Sequence, residues 1–168
     1  MDSDFKTARL GVSEITKISA SQDDEGLISC IPLLFTPAVV EHLPPNFHNV
    51  NSESEARLWL VLMLSESRLY RVELSEPKGV IGFVFAYEGE EGQTHIGYLL
   101  GEMYWGKGLA SELLRGFLEY AAEQPDWKKL IGGVARDNLA SSKLLLKLGF
   151  VEQETDDSSV AFFEYRLP

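Results

Sequence analysis

The stretch Ile96-Gly97-Tyr98-Leu99-Leu100-Gly101-Glu102-Met103-Tyr104-Trp105-Gly106-Lys107-Gly108-Leu109-Ala110 changes its pattern midway, and the fold turns on that change. Residues 94–100 read as a strand, bounded by a glycine-rich turn before it. Beyond Gly108, residues Leu109, Leu113, Leu114, Phe117, Leu118 and Ala121 recur at helical spacing, with Glu112, Arg115 and Glu119 on the other side. Gly106-Lys107-Gly108-Leu109-Ala110 therefore sits at a helix entry, where several backbone N–H groups lack partners within the helix. Such a place attracts phosphate. Glycine lets the backbone approach an anion, the helix dipole adds partial positive charge, and successive N–H groups donate. A plain turn before a helix fits the same two glycines.

Two other glycine-rich phosphate sites fail on spacing. The nucleotide-triphosphate loop needs Gly-Lys followed by Ser or Thr, whereas Lys107 is followed by Gly108. The dinucleotide fingerprint needs a third glycine where Ser111 stands, and an early strand.

Outward from this segment, Leu10, Val12 and Ile15 suggest a first strand, and residues 27–35 a helix stopped by Pro37. Residues 44–49 read as a loop, and Asn51 or Ser52 caps a helix with Ala56, Leu58, Trp59, Leu62 and Met63 on its buried face. Residues 69–74, 79–87 and 94–100 form an antiparallel meander, joined by Glu-Pro-Lys-Gly and Glu-Gly-Glu-Glu-Gly turns. Residues 130–135 read as a short buried strand and 139–148 as a helix ended by Gly149. Residues 150–151 and 160–167 close the chain as strands. The expected architecture is α+β, in the order β-α-α-β-β-β-α-β-α-β-β. With 168 residues, 45% of them apolar, and no internal repeat, one domain over residues 1–168 is expected.

A net charge of −11 argues against a non-specific nucleic-acid binder, which gains affinity by neutralising phosphates, and suits a cationic acceptor. Residues 101–150 carry seven basic and six acidic side chains, so a local anion can bind there despite the overall charge. The single cysteine, Cys30, rules out an internal disulfide framework and points to a reducing, cytoplasmic compartment. The acidic start and the lack of a long apolar run indicate neither export nor membrane spanning. Monomer and homodimer both stay open.

These residues resemble the GNAT superfamily of acetyltransferases, and within it the ribosomal-protein N-terminal acetyltransferase branch. Residues 96–100 followed by Tyr104-Trp105-Gly106-Lys107-Gly108-Leu109-Ala110 are similar to the branch's strand and pyrophosphate turn. The superfamily pattern Gln/Arg-x-x-Gly-x-Gly/Ala falls on Trp105, Gly108 and Ala110, and Trp105 departs from it. Asn138-Leu139-Ala140-Ser141 and Leu144-Leu145-Leu146-Lys147-Leu148-Gly149-Phe150 look like the superfamily's last helix.

The resemblance implies a mixed, mainly antiparallel twisted sheet of about seven strands with helices on both faces. Acetyl-CoA is implied as cosubstrate, without a metal, held by the backbone of Leu99 and Leu100, residues 105–110, Asn138 and Ser141. In that setting Gly97 marks a bulge or a close backbone approach. The implied reaction is direct attack of an unprotonated amine on the thioester. Many relatives place the tyrosine that protonates the leaving thiolate where Leu145 stands, so Ser141 becomes the candidate donor and His95 the candidate base. Asn138 and Ser141 also fit simple capping roles, and His95 a structural one. Tyr98 could line the acceptor pocket or belong to the core, and the acidic turn over residues 88–91 could attract a cation. A protein N-terminal amine is the expected acceptor, with a polyamine or other small amine as alternative. A module that binds acyl-CoA without catalysis is the competing reading. The loop over residues 42–51 and the first helices should form the acceptor pocket.

Overall fold

The computed structural model describes residues 4–16 and 25–168. Strands β1 (Phe5–Lys6) and β2 (Leu10–Ile15) are followed by helices α1 (Glu25–Leu34), α2 (Pro37–Val40) and α3 (Glu53–Glu66). Strands β3 (Arg68–Leu74), β4 (Gly79–Glu88) and β5 (Gln93–Leu100) come next, then α4 (Leu109–Ala122), β6 (Lys129–Ala135), α5 (Leu139–Lys147), β7 (Val151–Gln153) and β8 (Val160–Arg166). They form one sheet in the order β1-β2-β3-β4-β5-β6-β8-β7, antiparallel except between β5 and β6.

The count is eight strands rather than about seven. The addition is β1, which pairs Phe5 with Val12 and Lys6 with Gly11 and is too short to show a period of its own. A helical turn, α2, also enters between the two expected helices. Pro37 does not stop the first helix. That helix ends at Leu34, and Pro37 opens α2, where a missing N–H costs no helical bond.

Strand β4 runs through the centre and is buried on both faces. Phe83 and Phe85 pack with Leu99 under α1 and α3, while Val84 and Ala86 pack with Leu100 under α4 and α5. This two-sided burial follows from period-2 alternation in a strand whose residues are nearly all apolar.

Ser52 caps α3: its hydroxyl accepts from the Glu55 N–H at 3.2 Å, and the Glu55 carboxylate accepts in return from the Asn51 N–H. The buried face of α3 is Ala56, Trp59, Leu60 and Met63. Leu58 and Leu62, expected inside, lie 70% and 37% exposed. Residues 58–64 contain no polar side chain, so periodicity alone cannot choose a face. Packing chooses it, with the Trp59 ring 4.8–5.4 Å from those of Phe35, Phe47 and Phe83.

Candidate active site

Strands β5 and β6 pair only from Gln93↔Lys129 to Ile96↔Gly132. Beyond that point they diverge, although β5 continues to Leu100 and β6 to Ala135. Among the described residues, the edge of residues 97–100 facing β6 is therefore left without a neighbouring strand, and a cavity of about 680 Å³ opens there. Its walls come from both diverging strands, the N-terminal turn of α4, the first turns of α5, and residues 38–44. The opening lies at the carboxyl ends of two parallel strands, beside a helix N-terminus, the general place for ligands in such sheets.

Gly97, the first residue past the seam, keeps full register with Phe85 of β4, so it marks no bulge. Close approach is its role. A Cβ there would lie 2.2 Å from the Phe85 ring. At the cavity's α4 wall, Gly106 and Gly108 have φ of 73° and 77°, the left-handed region that favours glycine. Among the described residues, no backbone carbonyl accepts from the N–H groups of residues 106–111. Six consecutive N–H groups at this helix entry are thus without a backbone partner, as an anion site requires. Gly106, Gly108, Leu109, Ala110 and Ser111 line the cavity, and the exposed Lys107 does not.

Trp105 also lines the cavity, but its indole N–H donates to the Leu100 carbonyl at 2.9 Å. That bond ties the glycine turn to the end of β5. Sequence reasoning could not supply this role, because it joins the last strand residue to a side chain across a 3-10 turn at Glu102–Tyr104.

Asn138 and Ser141 meet Tyr98 on the α5 side. The Tyr98 and Ser141 hydroxyls lie 3.1 Å apart, and the Asn138 side-chain amide donates to the Ser141 oxygen at 3.3 Å. Asn138 also caps α5 by accepting from the Ser141 N–H. Burial raises the Tyr98 pKa and the bond to Ser141 only partly opposes it, so the phenol stays protonated at neutral pH. The pair therefore holds hydroxyl protons inside the cavity, which the buried Leu145 also lines.

His95 is elsewhere. It is exposed, faces Tyr87 and Ile131 within the paired part of the seam, and is not among the cavity-lining residues. The imidazole in the cavity wall is His42, with Nδ1 3.4 Å from Asp137 and Nε2 3.2 Å from Glu41. No motif announces it, since Asp137 and His42 lie 95 positions apart and come together only through the sheet order. Among the described residues, no cluster of His, Cys, Asp or Glu is placed to hold a metal, and no helix is long and apolar enough to cross a membrane.

Residues 18–151 match the family model of the acetyltransferase (GNAT) domain. The chain belongs to the GNAT acetyltransferase family. It is 35% identical over 81 residues to the uncharacterized N-acetyltransferase p20 of Bacillus licheniformis, a match covering 48% of this chain and 45% of that protein. It is 32% identical over 83 residues to the uncharacterized N-acetyltransferase YoaA of Bacillus subtilis strain 168, covering 49% and 46%. The chain thus matches less than half the length of these curated relatives. Among solved structures, the GNAT fold is shared with RimL, a ribosomal L7/L12 α-N-protein acetyltransferase in complex with coenzyme A, at a TM-score of 0.77, 16% identity and 96% coverage of both chains. A spermidine N-acetyltransferase from Vibrio cholerae, in complex with CoA and spermine, superimposes at 0.74 with 17% identity, covering 94% of this GNAT chain and 95% of that one.

Proposed function

We propose that this GNAT chain transfers the acetyl group of acetyl-CoA to a primary amine at a protein N-terminus, by direct attack within a ternary complex. The observation that carries the reading is the open seam: an unpaired β5 edge, six free N–H donors and a Tyr98–Ser141 hydroxyl pair line one cavity or its rim. These fit acetyl-CoA part by part. The N–H groups of residues 106–111 suit the pyrophosphate, and the edge at Leu99 and Leu100 suits the amide-rich pantetheine arm as a missing strand would. Asn138 and Ser141 stand where that arm would end. The single sheet supports treating residues 1–168 as one domain, and the lone cysteine supports a cytoplasmic setting.

In the reaction, the amine nitrogen bonds to the thioester carbonyl carbon and the carbon–sulfur bond breaks. A backbone N–H at the β5 edge polarises the carbonyl as its oxygen gains charge. The departing thiolate takes a proton from the Ser141 hydroxyl, which Tyr98 steadies and can resupply. Glu41 in the wall formed by residues 38–44 favours a cationic acceptor, and His42 beside it, also in contact with Asp137, is placed to receive the proton the amine loses. This assigns the base to His42 rather than to His95, which lies outside the cavity lining.

Thiol release from acetyl-CoA, measured with peptides bearing free or blocked N-termini and with spermidine, tests the reading. Turnover that requires a free peptide N-terminus supports it. Turnover with spermidine alone sinks the N-terminal acceptor, and binding of acetyl-CoA without turnover of any amine sinks the enzyme.

A further inference from the structure

The glycine turn is held from behind by a residue about a hundred positions earlier. The Arg9 guanidinium, from the β1–β2 hairpin, donates to the Lys107 carbonyl at 2.9 Å through Nη1 and to Glu112 of α4 at 2.7 Å through Nε. Glu112 also accepts from the Arg9 backbone N–H at 2.7 Å and from the Thr7 hydroxyl. A methyl placed on Gly108 would stand 3.5 Å from Arg9 Nη2, so the guanidinium lies directly against the turn.

We infer that Arg9 is a positioning residue for the pyrophosphate turn, acting through the Lys107–Gly108 peptide. The inference rests on reading that turn as the acetyl-CoA cradle. A trans peptide is planar, with its C=O and N–H pointing in opposite directions. Pinning the Lys107 carbonyl toward Arg9 therefore turns the Gly108 N–H the other way, toward the cavity that Gly108 lines. A positive charge at the carbonyl also polarises that peptide and strengthens the N–H as a donor. Gly108, on the C-terminal side of this peptide, carries no Cβ and has φ of 77°, so without the pin the peptide can flip about Lys107 ψ and Gly108 φ and withdraw its donor. Glu112 holds Arg9 by two contacts to one carboxylate, which fixes the fork and keeps the local charge balanced.

Arg9→Met and Arg9→Lys test the brace, with S-acetylpantetheine, which lacks the pyrophosphate, beside acetyl-CoA. Arg9→Met should raise KM for acetyl-CoA on the order of tenfold, leaving kcat and all S-acetylpantetheine kinetics near wild type. Arg9→Lys keeps the charge but cannot hold Lys107 and Glu112 together, so it should show most of the same rise. A lysine variant with wild-type KM overturns the brace in favour of a simple field effect. Equal losses on both thioesters overturn it in favour of general unfolding, and should the methionine variant not fold, the lysine variant carries the same comparison. Failure of the wild-type protein to bind acetyl-CoA at all would instead refute the cofactor reading itself.

Discussion

A methyl group added at Gly97 has no room. It would meet the Phe85 ring at 2.2 Å from Cε2 and 2.9 Å from Cδ2 and Cζ, against roughly 3.5–4.0 Å for a favourable carbon contact. The ring cannot simply swing aside: Phe85 is 5% exposed, with Phe47 at 5.1 Å and Tyr87 at 6.2 Å between centroids. Gly97→Ala must therefore shift β5 or distort Phe85, a strain of about 1–3 kcal/mol. For a chain of this size that lowers Tm by roughly 2–12 °C. Thermal unfolding without ligand measures it, and repeating the substitution in a Phe85→Leu background isolates the contact, because the smaller side chain should absorb most of the loss. Wild-type melting of Gly97→Ala, or an equal loss in both backgrounds, would refute the argument that glycine is there to admit the Phe85 ring.

Ser141→Ala should lower kcat by about 10²-fold or more with little change in KM for acetyl-CoA, while Tyr98→Phe lowers it less, because Asn138 still holds Ser141; steady-state thiol release separates the two parameters. Burial pushes the Cys30 thiol up to about 11 from 9.0, against a smaller opposing backbone hydrogen bond. Iodoacetamide at pH 8 should accordingly label the folded protein at least about 100-fold more slowly than a free cysteine. The sign for stability follows: the contribution is intact below pH 9 and is lost between pH 9 and 11, where only the unfolded thiol ionises, and urea titrations across that window would show it.

Much of the fold was legible because local pattern and tertiary role coincide in α4. Leu109, Leu113, Leu114, Phe117 and Ala121 are all buried there, and the glycines before them take up left-handed backbone. The α3 face was not legible, since an unbroken apolar run leaves the choice to Trp59 and the rings around it. At the site, Asn138 and Ser141 stand out as a cap pair three residues apart, a local signal. His42 with Asp137, and Arg9 with Lys107, are contacts between distant segments that only the sheet order brings together.

The short seam between β5 and β6 also bears on how the molecule assembles. Strands β1 to β5 are each antiparallel to the next in sequence; short turns join β1 to β2 and β3 to β4 to β5, whereas β2 and β3 meet across the segment that carries α1, α2 and α3. Strands β6, β8 and β7 form a second ladder, joined to the first by four residue pairs and by the α4 crossover. The strand pairing between the two ladders is short, and one buried apolar cluster under α4 and α5 holds both together. A ligand lying along residues 97–100 would extend that short pairing and add a second tie between the two ladders.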